Sequence, residues 1–422
     1  MSFNEKNNFP DTWQMKSLEE CVDLIIDYRG KTPKKLGGDW SESGFRAFSA
    51  KNIKDGKIVR KDTIRYLEKG LYEKWMKEEI KKNDILMTSE APLGETLLWD
   101  SEEKIVLSQR LYGIRANDKI IYPKYLFSYM TSPKYKAELD GRASGTTVVG
   151  IRQTELLKTN IILPRMNEQI AIGNFICNLD KKIEINNKIN KKLDELAQAI
   201  FKQWFIDFDF PNEDGEPYKS SSGEMVESEV GMIPKMWQVK ELREIIKFIK
   251  GKKPKEISDS KFENCKKYLT IDALNGNNTQ FAINDKVVLA DKKDILMVMD
   301  GASSGALYYG MDGVVGSTLA KISLSNQEIN EDILYYFLKL NEPNIKAHLT
   351  GSAIPHTDKE FVNRLIITIP KEKALLNNIT KILSDFRNEI IVIKEENNKL
   401  IRLRHILLPK LISGEIRLPL DK

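Results

Sequence analysis

The chain has 422 residues, of which 41% are hydrophobic and 30% are charged, and its formal net charge at neutral pH is +5. That length allows two domains with separate cores and connecting helices, and the slight excess of basic residues is compatible with DNA binding without requiring it. Three distant cysteines without CxxC spacing argue against a disulfide framework and a cysteine zinc site. The N-terminus has no secretory signal and no apolar run approaches the ~20 residues of a membrane span, so we expect a cytoplasmic protein.

The first predicted element is a globular α/β domain over residues 1–165, which ends in a glycine loop, a helical turn and an apolar strand closed by Pro164. Four of its loops combine lysine or arginine with small hydroxyl residues or glycine, a mixture that suits contact with DNA phosphates and base edges. A solvated loop position is the alternative for any single residue. The candidate DNA-binding residues of this domain are Arg29, Lys31, Thr32, Lys34, Lys35, Lys51, Asn52, Ser108, Gln109, Arg110, Arg142, Ser144, Thr146 and Thr147.

A long helix is predicted over residues 166–206, because apolar residues recur there at alternating steps of four and three. So narrow a stripe favours a partner helix, since a helix packed on its own domain usually shows a wider one. Asn190 lies in the stripe and is expected to set its register. The predicted seam consists of Ile172, Ile176, Leu179, Ile183, Asn186, Asn190, Leu193, Ala197, Ile200 and Trp204.

Residues 207–233 are rich in proline, glycine, serine and acidic side chains, and they are predicted to form a surface linker. A second domain over residues 234–370 then repeats the first. The segment 144–164 aligns without a gap with 350–370, at an offset of 206 residues. Three shorter pairs of segments align in the same order, beginning at Trp13 and Trp237, at Gly30 and Gly251, and at Asp84 and Asp294. The period is too long for a solenoid repeat and indicates a duplicated domain with internal pseudo-twofold symmetry.

Loops of similar composition recur at corresponding places in the second domain. This recurrence, and not any one side chain, is the basis for predicting that both domains contact DNA. The candidate DNA-binding residues of the second domain are Lys252, Lys253, Lys255, Ser303, Ser304, Ser317, Thr318, Thr350, Ser352 and His356.

A second long helix is predicted over residues 371–413, and its stripe matches the first position for position at an offset of 207, so that Asn190 recurs as Asn397. Twofold symmetry within one chain predicts an antiparallel coiled coil, with about 60 Å of helix at 1.5 Å per residue. The alternative is that each helix packs only on its own domain. The second seam consists of Ile379, Leu383, Phe386, Ile390, Ile393, Asn397, Leu400, Arg404, Leu407 and Leu411. The predicted fold class is α+β, with two α/β domains in tandem and two long helices.

Familiar catalytic motifs are missing from the sequence. Gly30-Lys31-Thr32 resembles the end of a phosphate-binding loop, but that motif requires a glycine at position 25, which is isoleucine. No two prolines are adjacent, which excludes the Pro-Pro motif of adenine methyltransferases, and the histidines at 348, 356 and 405 lack metal-ligand spacing. We therefore expect no catalytic residue, metal or cofactor in this chain, although a nuclease site built from acidic residues and a lysine stays an alternative.

The junction between the first domain and its helix reads Ile161-Ile162-Leu163-Pro164-x-x-Asn167-Glu168-Gln169-x-x-Ile172 and is followed by the heptads. With the order domain, helix, domain, helix, this pattern resembles the specificity subunits of type I restriction–modification systems over essentially the whole chain. The Trp13 and Trp237 openings and the glycine loops also fit. The second junction departs from the pattern, because Pro370 is followed by KEKALLNNI without Glu-Gln.

The resemblance implies that each domain is a target recognition domain for one half of a bipartite site in double-stranded DNA, and that the helices are the conserved regions that separate the two domains. It also implies partners: two adenine-methyltransferase subunits and motor/nuclease restriction subunits, with S-adenosylmethionine and ATP bound only by them. Two other interpretations stay open. One is a coiled-coil adaptor with two ligand-binding domains, and the other is a nuclease or methyltransferase with an unrecognised site.

A four-residue insertion after Asn186 tests whether the helices set the distance between the half-sites. The insertion adds about 6 Å of helix, close to the rise of two base pairs at about 3.4 Å each, and keeps most of the apolar stripe as a stutter. We predict that the unread spacer lengthens by about one or two base pairs while both half-sites stay unchanged. Sequencing of methylated adenines in cells that express the variant measures this. An active variant with an unaltered spacer would show that the helices do not set the distance.

Overall fold

The computed structural model describes residues 3–4, 9–277 and 279–420, so residues 1, 2 and 5–8 of the predicted first domain lie outside this description. The chain divides into two compact units. Unit 1 takes the chain up to Ile185 and again from Asn397, and unit 2 takes Asn186–Glu396. Each unit therefore includes part of each of two long helices, Met166–Phe205 and Lys373–Ser413.

The strands are short and numerous in both units. Those of unit 1 are β1 (Phe3–Asn4), β2 (Phe9–Pro10), β3 (Gln14–Ser17), β4 (Val22–Asp27), β5 (Phe45–Phe48), β6 (Ile53–Lys54), β7 (Lys57–Ile58), β8 (Arg65–Leu67), β9 (Ile85–Thr88), β10 (Thr96–Leu98), β11 (Val106–Leu107), β12 (Leu111–Ala116) and β13 (Asn160–Leu163). Those of unit 2 are β14 (Met225–Ser228), β15 (Gly231–Pro234), β16 (Trp237–Glu241), β17 (Ile246–Lys250), β18 (Ile257–Ser258), β19 (Cys265–Leu269), β20 (Gln280–Ile283), β21 (Leu289–Ala290), β22 (Ile295–Val298), β23 (Leu307–Tyr309), β24 (Gly313–Val315), β25 (Leu319–Leu324) and β26 (Ile366–Pro370).

The helices are short except for one in unit 2 and the two that both units share. They are α1 (Leu18–Cys21), α2 (Lys69–Trp75), α3 (Pro123–Met130), α4 (Pro133–Arg142), α5 (Gln153–Leu157), α6 (Met166–Phe205), α7 (Leu242–Ile245), α8 (Ile271–Leu274), α9 (Glu331–Ala347), α10 (Lys359–Asn363) and α11 (Lys373–Ser413). Short 3₁₀ turns occupy Lys34–Leu36, Ala50–Asn52 and Lys61–Thr63. None of the helices in the described ranges is long and apolar enough to cross a membrane.

The main sheets of the two units have the same strand order, and their second sheets, of three strands in unit 1 and five in unit 2, share one pairing pattern. In unit 1 an antiparallel sheet has the order β10-β9-β12-β4, and in unit 2 the corresponding order is β23-β22-β25-β17. A second sheet pairs β5 with β11 in parallel and with β8 antiparallel, just as β19 pairs with β24 in parallel and with β20 antiparallel. The repeated order of strands confirms the duplication, and the predicted α+β fold of two α/β domains and two long helices is confirmed with it.

The central strand of each main sheet is buried along its whole length. All four residues of β9 and of β22 are buried, and both strands begin Ile-Leu-Met. In β9, Ile85 and Met87 pack into one apolar cluster while Leu86 packs into another. In β22, Ile295 and Leu296 are divided between two clusters in the same way. A strand covered on both faces reads as a continuous apolar run, which explains these repeated segments.

The strands that open and close each domain form a two-stranded ribbon. β3 pairs with β13, and β16 pairs with β26, so the segments near Trp13 and Trp237 lie beside the strands that end at Pro164 and Pro370. Trp13 Nε1 donates a hydrogen bond of 3.2 Å to Glu168 Oε2 at the start of α6. The conspicuous Glu168 of the junction is therefore explained by a contact within unit 1.

The prediction of a surface linker over residues 207–233 is wrong in one respect. Phe208 and Phe210 are buried, and both rings pack against Trp237 with centroid distances of 5.4 and 5.3 Å. The segment also contains β14 and most of β15, which pair antiparallel. Polar and glycine residues dominate its composition, but the phenylalanines pack on unit 2 and hold the segment there.

The long helices pair antiparallel within each unit. In unit 1, Ile172 and Ile176 near the start of α6 share a core with Leu408 and Leu411 near the end of α11. In unit 2 the opposite ends meet, and one core contains Ala197, Phe201, Ile379 and Leu383. The same two cores contain the side chains of the sheets and short helices. The helices therefore pack on each other as well as on their own domains, and the alternative in which each helix packs only on its own domain is wrong.

All positions of the two predicted seams are buried or half-buried. Apolar side chains outside the seam, such as Leu196 and Ile406, are instead 52% and 59% exposed. The polar seam residue Asn186 is buried and its Nδ2 donates to Glu396 Oε2 at 2.7 Å, which joins α6 to α11 within unit 2. Asn190 is half-buried and Asn397 is buried. The contact of Asn186 with Glu396 favours one register, because a slip would leave the buried amide without that partner.

Each unit also pairs an arginine of α11 with an aspartate, and the arginine is half-buried in unit 1 and buried in unit 2. In unit 1, Arg404 Nε lies 2.8 Å from Asp180 Oδ1 of α6. In unit 2, Arg387 is 1% exposed, its Nε lies 2.9 Å from Asp332 Oδ1 of α9, and its Nη1 donates to the Glu331 carbonyl. Burial lowers the pKa of Arg387, and the nearby Asp332 opposes that shift. A buried ion pair depends on both partners, because either one alone is an uncompensated charge.

Replacement of Arg387 should destabilise unit 2 strongly. Arg387→Ala leaves the Asp332 carboxylate without its cation and opens a cavity, and breaking a buried pair costs about 3–5 kcal/mol. The control is Lys381→Ala, an exposed position on the same helix, which should change stability by less than about 0.5 kcal/mol. Urea unfolding followed by circular dichroism compares the two. Equal transition midpoints for both variants would contradict a structural role for Arg387.

Candidate DNA interface

Three of the predicted DNA-binding loops of unit 1 line a single cleft of about 400 Å³. They are the segment after β4, the turn after β5 and the turn between β11 and β12. Because β5 and β11 are parallel neighbours, the turns that follow them emerge at the same edge of the sheet. The cleft is lined by Lys31, Thr32, Pro33, Trp40, Ala47, Ser49, Ala50, Lys51, Thr63, Arg65, Ala91, Ser108, Gln109 and Arg110.

Backbone hydrogen bonds hold these turns together. Ser108 N donates to the Phe48 carbonyl at 2.8 Å, and Ala50 N donates to the Gln109 carbonyl at 3.1 Å. The Gln109 side chain is exposed and Ser108 is 6% exposed. The cleft wall is thus rigid backbone, from which side chains such as Gln109 project.

Glu90 connects the cleft to the fourth predicted loop. It follows the central strand β9, and its backbone forms an antiparallel bridge with Gly150, which in turn bridges to Ser144. Glu90 Oε1 lies 3.0 Å from Arg110 Nε, and Ser89 N donates to the Arg110 carbonyl at 2.9 Å. The loop that contains the predicted Ser144, Thr146 and Thr147 therefore begins beside the cleft, and these three side chains are exposed.

Several predicted cations already have partners within unit 1. Arg29 pairs with both oxygens of Asp27 at 2.9 and 2.8 Å. Lys31 Nζ donates to the Trp75 carbonyl and Lys35 Nζ to the Gly30 carbonyl, and burial, with a smaller effect of Lys77, lowers the pKa of Lys31. Arg142 is paired with Glu138 and Glu155. A phosphate contact by these side chains competes with contacts that shape the loops.

Other cations of unit 1 are better exposed to solvent. Lys34 and Lys51 are exposed, and Lys51 lines the cleft. Arg65, which was not predicted, is also exposed and its guanidinium lies 5.3 Å from the Trp40 ring centroid. A cation beside an aromatic ring at a cleft suits contact with phosphates and stacked groups.

Three predicted contact residues are corrected by their burial: Asn52, Ser108 and Ser304. Asn52 is fully buried, where its Oδ1 accepts from Ser49 N and its Nδ2 donates to Thr63 Oγ1 and to the Arg60 carbonyl. Ser304 is 1% exposed, and its Oγ lies within hydrogen-bonding distance of backbone carbonyls that include that of Pro355, at 2.9 Å. Burial withdraws all three side chains from DNA, and those of Asn52 and Ser304 satisfy backbone groups of the surrounding loops.

The predicted loops of unit 2 also converge. Asp300 follows the central strand β22, and its backbone bridges to His356, which bridges to Thr350. Asp300 Oδ1 lies 2.8 Å from His356 Nδ1, and its Oδ2 lies 3.5 Å from Lys250 Nζ at the end of β17. Met299 N donates to the Thr318 carbonyl at 2.8 Å, so the turn before β25 lies beside Asp300 as well.

Gly251 shows why the KGKKPK loop is tied to this group. A Cβ at this position would lie 2.1 Å from the Gly316 carbonyl oxygen, so only glycine allows the two backbones to approach so closely. The residues of unit 2 that project into solvent from the converging loops are Lys252, Lys253, Lys255, Ser317, Thr350, Ser352 and His356. Lys255 pairs with Asp285 at 3.6 Å, and Ser303 and Thr318 are half-buried.

Besides Arg65, sequence reasoning also missed Glu90 and Asp300. Both stand two residues after the end of the repeated Ile-Leu-Met strand, at an offset of 210 residues, and this recurrence is a signal that could have found them. Burial alone would raise the pKa of Asp300, but the hydrogen bond from His356 and the nearby Lys250 lower it overall. The carboxylate is therefore ionised at neutral pH.

Buried thiols and tyrosines show no sign of chemical activation. Burial raises the pKa of Cys21 and of Cys177 to about 11, so both stay protonated at neutral pH, and a thiol rather than a thiolate is a poor nucleophile. Burial also raises the pKa of Tyr112 to about 12. In the part of the chain that the structure describes, there is no group of three His, Cys, Asp or Glu side chains that could hold a metal ion.

Two α/β units with matching clusters of cationic and polar loops, both completed by the same pair of helices, define a DNA-binding protein with two reading domains. The particular family follows from its matching residues. Residues 10–195 and 234–402 match the model of the type I restriction modification DNA specificity domain, and the chain belongs to this family. It is a DNA-recognition subunit and not a catalytic one, which confirms the function predicted from the sequence.

The chain is similar in sequence to known specificity subunits and in fold to a solved one. The chain is 33% identical to the MjaVIII specificity subunit of a type I restriction enzyme from Methanocaldococcus jannaschii over 183 residues, which are 43% of each protein. It is 26% identical to the MjaIX specificity subunit from the same organism over 431 residues, covering 97% of this chain and 94% of the relative. The crystal structure of a type I restriction–modification S subunit from M. genitalium, 19% identical, has a TM-score of 0.61 over 97% of this chain and 98% of that one, and so shares the fold.

Lys51→Gln should weaken DNA binding equally for all sequences. Lys51 is exposed at the cleft, and removal of one cation that binds a phosphate reduces the slope of log affinity against log salt by about one. The matched control is Lys82→Gln, an exposed lysine before β9, at the opposite end of that strand from Glu90. A titration of a fluorescent duplex at several salt concentrations measures the slope. Identical slopes for Lys51→Gln and wild type would remove Lys51 from the interface.

Proposed function

We propose that each unit reads one half of a bipartite site in double-stranded DNA, and that the pair of long helices fixes the distance between the two half-sites. The observation that carries this proposal is the repetition of one loop cluster. In both units, the turn before β12 or β25 and the loop that reaches Gly150 or His356 meet around one carboxylate that follows β9 or β22, Glu90 or Asp300. Two different half-sites can be read by the same loop arrangement if the side chains on the loops differ.

The chain also serves, in this proposal, as the scaffold for two adenine-methyltransferase subunits and for motor/nuclease restriction subunits. Its relatives are named as specificity subunits of restriction enzymes, which supports an assembly with such subunits. The long helices supply a suitable surface, because apolar side chains outside the seam are exposed on them. These are Ile170, Ile185, Ile189, Leu196, Val392, Ile401, Leu403 and Ile406.

S-adenosylmethionine and ATP would then be bound by the partner subunits, and the assembly would act in the cytoplasm, where chromosomal DNA is accessible. The sequence supports this division of labour, because it has neither the phosphate-binding loop nor the Pro-Pro motif of the corresponding enzymes. A methylation assay with and without a partner methyltransferase tests it. Methylation by this chain alone would contradict a purely recognising role.

Exchange of residues 234–370 for the same region of a relative tests the modular reading. We expect the methylated motif to change in one half-site only, because the loops of unit 1 are untouched. The core of unit 2 includes Phe201 of α6 and Leu383 of α11, so the donor must supply apolar residues against them. Methylome sequencing of cells with the chimera and a partner methyltransferase gives the result. A simultaneous change of both half-sites would show that the units do not read DNA independently.

A further inference from the structure

One carboxylate occupies the same place in both units. Glu90 and Asp300 each follow the buried central strand of the main sheet. The backbone of Glu90 forms a β-bridge with Gly150, and the backbone of Asp300 forms one with His356. Gly150 and His356 are equivalent in the two repeats, because they are 206 residues apart and each lies six residues after the start of its loop, at Ser144 or Thr350. The duplication therefore preserved the position of an acid in a loop where no catalytic use or core packing explains it.

The two carboxylates hold chemically different side chains. In unit 1, Glu90 Oε1 lies 3.0 Å from Nε of Arg110, which comes from the turn before β12. In unit 2, Asp300 Oδ1 lies 2.8 Å from Nδ1 of His356, which comes from the loop before α10, while Lys250 lies 3.5 Å from the other oxygen. The anchor is common to both units, but the side chain that it holds differs in chemistry and in loop of origin.

Arg110 is held in a way that leaves part of its guanidinium available. Its φ of 64° lies in the left-handed region, which is unfavourable for a long side chain and often marks functional sites. Ser89 N holds its carbonyl at 2.9 Å, so backbone and side chain are fixed by consecutive residues. The contact with Glu90 uses Nε, and a guanidinium has five N–H donors. The side chain is 47% exposed at the cleft, where two parallel donors would match O6 and N7 of guanine.

His356 presents the opposite hydrogen-bonding group. An ionised carboxylate only accepts hydrogen bonds, so the contact with Asp300 requires Nδ1 of the imidazole to carry the proton. In the neutral ring Nε2 is then an acceptor. The side chain is 48% exposed. An acceptor held at this position suits an exocyclic amino group in the major groove, which adenine and cytosine present and guanine and thymine do not.

We infer that Glu90 and Asp300 are positioning residues that aim one base-reading side chain in each unit: Arg110 toward a guanine of one half-site, and His356 toward a base with a major-groove amino group in the other. The inference rests on the proposed function, because it requires each unit to face one half-site. It means that the duplicated frame acquired two specificities by changing the side chain held by the same type of anchor.

The test uses the full chain assembled with a partner methyltransferase, and it selects bound sequences from randomised duplexes. Arg110→Ala should lower the preference for one guanine in one half-site by about 5- to 150-fold, the range for one bidentate base contact. Arg110→Lys keeps the charge but loses the planar fork of donors that Glu90 holds through Nε, so it should weaken the same preference without a change in salt slope. His356→Ala should relax one base of the other half-site and leave the first half-site unchanged.

Variants of Glu90 and Asp300 test whether these two residues position the base-reading side chains. Glu90→Ala should relax the same base pair as Arg110→Ala, and the double variant should be no worse than Arg110→Ala, because both changes remove the same interaction with the base. Asp300→Ala should relax only the base that His356→Ala relaxes. If the anchors were merely structural, their replacement would lower the thermal midpoint and the affinity for all sequences without changing base preference at one position.

The outcomes distinguish a failure of the inference from a failure of the proposed function. If the wild-type assembly selects no bipartite sequence, the proposed function fails. If it selects one, and the motif is unchanged in Arg110→Ala, Arg110→Lys and His356→Ala, the proposed function stands and the inference is overturned. Loss of one base preference in each half-site, reproduced by the matching anchor variant, is the expected result.

Discussion

The apolar stripe of each long helix is the constraint on which the rest of the structure depends. A narrow seam over 40 residues of α6 cannot be left in water, and its partner is a stripe of the same period on α11. The cores that these stripes enter are also the cores of the two domains. In unit 1, Ile176 and Leu411 pack with Ile85 and Met87 of the central strand. The helices are therefore part of each domain and are not a separate rod to which the domains are attached.

This shared core determines how the DNA-reading loops can vary. The loops leave the ends of strands whose positions are set by pairing in the sheets, and the central strands are buried on both faces. Side chains at the loop tips, such as Gln109 and Lys252, contribute little to that packing because they are exposed. Substitution there leaves the frame intact. The buried Asn52 and Ser304 are different, since their hydrogen bonds shape the loops themselves.

Patterns that repeat along the sequence predicted most of the architecture. The roles of single residues could not be predicted in this way, because they depend on contacts formed only in the folded structure. The stripes through Ile172 and Ile379 repeat often enough to identify both helices, and the repeated Ile-Leu-Met and Trp segments reveal the duplication. Composition places Phe208 and Phe210 in a linker because it averages over residues, whereas their burial depends on contacts with Trp237. Asn52 has the composition of a contact residue, but its role follows from a hydrogen bond to Thr63 eleven residues away. Glu90 is one acid among many until the pairing of β9 and the bridge to Gly150 bring it to Arg110.

The division of the chain into units has a consequence for protein synthesis. Unit 2 is continuous from Asn186 to Glu396, but unit 1 needs the segment that begins at Asn397. Most of unit 1 is thus synthesised before unit 2 but is completed after it, because the core around Trp13 also requires Leu408, Leu411 and Ile412. A chain that terminates early exposes the apolar side chains that these residues cover, and exposed apolar surface is what chaperones and proteases of the quality-control system bind. The fold therefore couples the completion of unit 1 to the synthesis of the second half of α11.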